Sequence, residues 1–154
     1  MRRAFILAVL VGAATAHAVF ATHTSTGLTS TLLGRGQWDR ADLAAFVREL
    51  GAMHAPAKSD VAVVRATLSA GGTTDWHGHP GPSVVVMTVG TIRVIEPASG
   101  GGCTTADYTA GQVFFHSEGA HTFLNPGTSP TEFLVTYIAP PGPLLVHEPA
   151  PAGC

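Results

Sequence analysis

Charge is scarce in this chain of 154 residues: Asp, Glu, Lys and Arg make up 12%, about half of the roughly 25% usual in globular domains. There is no run of Lys or Arg and the formal net charge is −2. Binding to nucleic acid therefore lacks an electrostatic basis. Long apolar runs are also missing. The longest candidate, from Ala4 to Ala16, is shorter than the roughly 20 residues that a membrane-spanning helix needs. The two cysteines form no CxxC pair, which leaves little support for redox catalysis. No HExxH, P-loop or Rossmann glycine fingerprint occurs. Gly81-Pro82-Ser83-Val84-Val85 lacks the closing glycine of a nucleophile elbow.

What is abundant is apolar and turn-forming. Hydrophobic residues reach 45%, enough to bury a core and to argue against disorder. Gly (18) and Pro (11) supply about one residue in five, against roughly 12% in average usage. Both residue types break helices and populate turns, so helical bundles and coiled coils are disfavoured. One compact all-β domain is the expected class.

Arg2 and Arg3, the apolar stretch after them and the small-x-small site Ala16-His17-Ala18 predict a signal peptide over residues 1–18, removed on export. Residues 19–58 are expected to hold an N-terminal arm, rich in Thr and Ser, with a short helix or edge strand. Leu43, Phe46, Val47 and Leu50 fall at i, i+3, i+4, i+7 ahead of Gly51, which predicts that helix over Asp39 to Gly51. From residue 59 to 140 the period changes to two. Strands are expected at Val61–Leu68, Ser83–Val89, Ile92–Ile95, Gln112–Phe115, Ala120–Leu124 and Glu132–Ile138, with a Gly-rich loop from Pro97 to Thr105. Such spacing points to a sandwich or barrel. The tail, residues 141–154, is Pro-rich and expected to be extended. Cys103 and Cys154, both in the exported part, are expected to pair and pin that tail.

His77-Gly78-His79 is the most informative local feature. On an extended strand, residues i and i+2 face the same way, so these two imidazoles make half of a transition-metal site. A third ligand is available in His121, at the start of a later strand. The surrounding spacing goes further. Gly71, His77-x-His79, Ser83 and Gly90, and then Gly111, Ser117-x-Gly119, His121 and Asn125, resemble the two cupin motifs, G(X)5HXH(X)3–4E(X)6G and G(X)5PXG(X)2H(X)3N. Trp76 to Pro82 and Tyr108 to Gln112 are also similar to a group of small exported bacterial cupins. The resemblance covers Val61 to Pro140 and implies a small antiparallel β-barrel of the jelly-roll type with a metal inside.

Three departures accompany the resemblance. Ser83 stands where the family has glutamate, Ser117 where it has proline, and the second motif is one residue short before His121. The resemblance thus implies three ligands: His77, His79 and His121. Three neutral imidazoles leave a divalent ion its full charge and about three open positions, which favours bidentate anionic ligands. Imidazole donors suit Fe, Mn, Ni, Cu or Zn without choosing among them. Ser83, Trp76, His116, Glu118 and Asn125 are the candidates for the surrounding pocket, with His116 and Glu118 open to a role as fourth ligand or base. The expected function is an exported cupin that binds a divalent transition metal and a small, anionic molecule. The alternatives are a metal-dependent oxygenase or isomerase/lyase, and a barrel that binds a small ligand without metal. The apolar run Val84-Val85-Val86-Met87 also permits a homodimer.

Overall fold

The computed structural model of the chain describes residues 25–38, 59–117 and 119–154. Its strands are β1 (Thr26–Trp38), β2 (Ser59–Thr73), β3 (His77–Gly78), β4 (Ser83–Val89), β5 (Thr91–Pro97), β6 (Cys103–Thr109), β7 (Val113–His116), β8 (Thr122–Leu124), β9 (Thr131–Ala139) and β10 (Val146–His147). The described residues contain no helix, and so none that could cross a membrane. The expected signal peptide and the expected helix at Asp39–Gly51 lie outside them, as does Glu118.

Eight strands form one antiparallel sheet in the order β6-β5-β8-β2-β9-β4-β7, with β1 added along β2. It curls into a nearly closed barrel, and β3 and β10 pair separately across one end. Alternation along each strand decides what lies inside. On β9, Thr131, Phe133, Val135 and Tyr137 are buried, while the residues between them are partly exposed. On β7, Phe114 and His116 point inward and Val113 and Phe115 outward. Ser83, Val85 and Met87 line the inner face of β4. The register sets Ser83 directly opposite His116 on one side and Tyr137 on the other. The polar groups at this end of the barrel are thus placed by the same period of two that builds its core.

Below them the interior is apolar. Leu68, Val85, Met87, Ile92, Phe114, Phe123, Phe133 and Val135 are buried against one another. Each such side chain contributes about 1.5–3 kcal/mol relative to exposure. Gly81, in the turn after the histidine pair, passes so close to β9 that a Cβ would collide with the Ile138 carbonyl. The Ile138 amide bonds the neighbouring Pro82 carbonyl at 2.9 Å. Glycine is required there by the close approach of two backbones.

One expectation about an individual segment changes. The loop drawn from Pro97 to Thr105 ends earlier, because β6 begins at Cys103 and pairs with Pro97. Its polar sequence, Cys103-Thr104-Thr105-Ala106-Asp107-Tyr108-Thr109, lacks an apolar alternation because the strand is largely exposed. Its β-branched threonines still suit a strand. The Thr- and Ser-rich arm is a strand from Thr26 onward, paired along most of β2. At the other end, Cys103 and Cys154 form a disulfide with Cα atoms 5.3 Å apart, 51 residues apart in sequence.

Candidate metal centre

The histidine pair starts from a turn. Asp75 takes a left-handed conformation (φ 61°), which short polar side chains tolerate better than others. Its carboxylate accepts the Trp76 amide at 2.9 Å, and its own amide donates to Thr73 Oγ1 at 3.1 Å. That turn aims the Asp75 carbonyl at His77, whose Nδ1 lies 2.9 Å away. His77 then joins His121 through reciprocal backbone hydrogen bonds of 2.9 Å. His79 donates its Nδ1 to the Leu144 carbonyl at 2.9 Å, and His121 donates its Nδ1 to the Gly119 carbonyl at 3.0 Å.

A carbonyl can only accept, so each of these contacts puts the proton on Nδ1. In a neutral imidazole the lone pair is then on Nε2. The three rings converge, with centroids 5.0 Å (His77–His79), 4.4 Å (His77–His121) and 4.9 Å (His79–His121) apart. One ligating nitrogen from each lies within 4.8 Å of the others, and all three residues are buried. His121 Nε2 is buried with no hydrogen-bond partner. An orphaned acceptor of this kind costs about 1–3 kcal/mol, and its position beside two further imidazoles fits a metal ion. Burial lowers the His79 pKa to about 3, with the charge of His77 adding to the effect. Burial, followed by the charge of His77, pushes His121 well below the ordinary histidine value. Both rings are therefore neutral near pH 7, as metal ligands must be.

His116 stands beside the trio. Its ring stacks on His121 with centroids 4.1 Å apart and planes 11° apart. Its Nδ1 lies 2.9 Å from Glu96 Oε1. Burial, with a smaller effect from the charge of His77, lowers its pKa to about 4, so at neutral pH the neutral ring donates to that carboxylate. His116 Nε2 and Ser83 Oγ are both buried without partners. Tyr137, ring centroid 4.9 Å from His79, is held by burial far above the ordinary phenol pKa and stays neutral.

A cavity of about 80 Å³ opens below the histidines, room for roughly five to eight waters. Its walls include His77, His79, Thr74 and Tyr137, and then Val64, Ala66, Val85, Phe123, Phe133, Val135, Leu144 and Leu145.

The structure brings His77, His79 and His121 together and sets His116 and Ser83 next to them. Trp76 does not line the cavity; it is half-buried, and its carbonyl accepts the Glu148 amide at 3.3 Å. Asn125 is buried away from the trio, bonded to the backbone around the turn after β8. Sequence reasoning missed the carbonyls of Asp75, Gly119 and Leu144, the partnership of Glu96 with His116, and Tyr137. Alternation in β9 offered a signal for Tyr137. Nothing in the Pro-rich tail announces the role of Leu144.

No protein-family model matches the chain, and no curated protein does. Solved structures do. An oxalate oxidase in complex with glycolate shares 22% identity over 79% of this chain and 55% of its own, with a TM-score of 0.54. A second oxalate oxidase structure shares 21% over 92% of this chain and 62% of its own, with a TM-score of 0.55. A variant of Bacillus subtilis oxalate decarboxylase shares 26% over 56% of this chain and 23% of its own, with a TM-score of 0.50. The chain therefore spans little more than half the length of the oxidases, and the likeness is one of fold.

Proposed function

From a cupin fold that brings three imidazoles together, two of them held neutral by burial, we propose that this protein is a metal-binding cupin that takes a small anionic ligand. The observation that carries the reading is the set of three Nδ1–carbonyl hydrogen bonds. Backbone acceptors at this position fix the tautomer and orient the ring, the arrangement that metal-ligating histidines use. A divalent ion held by His77, His79 and His121 supplies a Lewis acid with positions open to a chelating ligand. The chain's own residues keep the rings neutral, hold their direction and enclose the ligand between apolar walls. Glycolate, bound by one of the oxidases of similar fold, is a ligand of this kind.

Elemental analysis of natively purified protein tests the proposal. One divalent transition metal ion per chain is expected, with loss of that ion in His77→Ala while the barrel stays folded. A wild-type protein that purifies and dialyses without metal, and takes up none from zinc, manganese or iron(II), overturns it. A second reading, catalysis of an oxygenase or isomerase/lyase type, is favoured by the His116–Glu96 pair beside the trio.

Export belongs to the same proposal. The disulfide suits an oxidising compartment and agrees with the basic, apolar and small-x-small pattern of residues 1–18. Intact-mass analysis of the culture medium is expected to find a chain beginning at Val19. Val86, Val113 and Phe115, exposed on the outer face of β4 and β7, support a homodimer, which sedimentation at micromolar concentration tests.

A further inference from the structure

The walls of the cavity narrow the ligand class, an inference that rests on the metal-binding reading above. Charge alone does not discriminate: three neutral imidazoles around a divalent ion accept a monoanion or a dianion. The space beyond the head group does. Below His77 and His79 the cavity is bounded by Val64, Ala66, Val85, Phe133, Val135 and Leu144. Among the described residues no Lys, Arg, Asp or Glu lines it. The hydroxyl of Thr74 is already engaged, accepting the Phe123 amide at 2.9 Å and donating to the Asp75 carbonyl at 3.3 Å. The remaining polar groups of the lining are the uncharged hydroxyls of Ser25, Ser30 and Tyr137, so a second charged group reaching into this space would find no counter-charge, which is costly. A compact anion that filled only the head-group position would leave the apolar wall facing water and forgo its burial.

We propose that the ligand of this site is an anion with an apolar body: an oxygen-chelating head at the three histidines and a branched aliphatic body of about four carbons in the cavity. The volume admits it. A cavity of about 80 Å³ holds roughly five to eight waters, and a body of this size replaces them. This sets the site apart from one built for oxalate, in which both ends of the molecule are carboxylates.

Two probes of similar chelating head and different body decide the matter: 4-methyl-2-oxopentanoate, with a branched alkyl body, and oxalate, with none. Zinc is the metal used, because it undergoes no redox chemistry, and its content is measured before each titration. Calorimetric titration of the zinc-loaded protein is expected to show 4-methyl-2-oxopentanoate binding at least tenfold more tightly than oxalate. Val64→Ser is expected to reduce binding of the branched acid by about threefold to tenfold, leaving zinc content and oxalate binding unchanged. Leu145→Ser provides the same comparison if Val64→Ser does not fold. Zinc-loaded protein that binds oxalate as tightly as the branched acid, or binds neither, overturns this inference alone. Failure to hold zinc or any other divalent transition metal overturns the metal-binding reading, and the inference with it.

Discussion

His121 and Asn125 stand four residues apart on the same segment, and each is 1% exposed, yet they are buried in opposite ways. Asn125 is saturated. Its Nδ2 shares two hydrogens among the carbonyls of Leu68, Ser69 and Ser129 at 3.0, 3.1 and 2.8 Å, and its Oδ1 accepts the Gly127 amide at 2.9 Å. It ties the end of β2 to the turn between β8 and β9. His121 has one nitrogen bonded to the Gly119 carbonyl and the other buried with nothing to bond. Buried polar groups are normally satisfied, so a saturated one explains itself as structure. An orphan surrounded by other donors of its own kind calls for a ligand. The same segment thus carries a structural lock and one of three convergent histidines, and the difference lies in the partners alone.

Substitution by alanine at the two positions should separate them most widely. His121→Ala is expected to lose stoichiometric metal, with affinity down at least a hundredfold. The metal-free protein is expected to lose less stability than Asn125→Ala, because the orphaned nitrogen leaves with the ring and offsets part of the cost of the cavity and of the Gly119 carbonyl left without its partner. Asn125→Ala is expected to cost about 3–5 kcal/mol, since it strips partners from three carbonyls and an amide. Zinc binding by the folded fraction is expected to be unchanged. Thermal melts with and without chelator, beside elemental analysis, read both effects. Equal loss of stability and metal in both variants would erase the distinction.

The carboxy-terminal strap offers a second test. Leu144 is buried and holds His79 through its carbonyl, β10 pairs with β3, and Cys154 is joined to Cys103. Closing a loop of 51 residues stabilises by up to about 4 kcal/mol in the chain-entropy account. Cys103→Ser with Cys154→Ser is expected to lower denaturant stability by an amount up to that figure. A smaller effect, below tenfold, is expected on zinc affinity, because the strap's grip on His79 loosens without being lost. Zinc affinity identical to wild type would show that the tail does not position the site.

Acid should act on the histidines and spare Asn125, which does not titrate. The folded state holds His79, at about 3, and His116, at about 4, below the ordinary histidine value of 6.5. The unfolded chain therefore binds more protons than the folded one once the pH falls below 6.5. Stability is full above that pH and is lost as pH falls toward about 4, by ~1.4 kcal/mol per pH unit for each histidine that stays neutral. Urea titrations of metal-free protein from pH 7 to pH 5 measure the slope. A flat profile would mean that these rings are not buried neutral groups.

Much of this arrangement could be read from the residues, for reasons that differ by part. The strands around the core announce themselves through alternation, as at Ser83–Val89, where the reading and β4 coincide. His77, His79 and His121 stood out because their spacing is a property of the sequence. The acceptors that orient them are backbone carbonyls, which any residue supplies. One of them, Leu144, lies 65 residues from the ring it holds. Glu96 and His116 meet only because the curl of the sheet brings β5 and β7 together, and neither lies near the other in the chain. Strand β6 was hidden by its exposure, which removes the apolar period that marks the others. The fold and the convergent histidines left a trace in side-chain type, whereas the groups that orient them act through backbone and topology.

Ser83 provides the smallest effect and the closest check on the reasoning. It occupies the position at which the motif has a glutamate, it is buried, and its Oγ is unpartnered like His121 Nε2. By the criterion drawn from His121 and Asn125, its hydroxyl should also face a ligand. A hydroxyl is a weak metal donor compared with imidazole, however, and Ser83 is not one of the three residues whose ligating atoms cluster. Its orphaned state is therefore expected to matter less: Ser83→Ala should change stability by less than about 1 kcal/mol, in the stabilising direction, because an unsatisfied polar atom is exchanged for a methyl group. Metal content is expected to remain at one ion per chain. Ser83→Glu restores the carboxylate of the motif opposite His116 and is expected to tighten zinc binding while weakening that of an anionic ligand, since the added negative charge neutralises part of the ion's. Competition titration with a chromogenic chelator measures the first effect and calorimetry the second. Loss of metal in Ser83→Ala would show that the serine hydroxyl, and not the three imidazoles alone, completes the site.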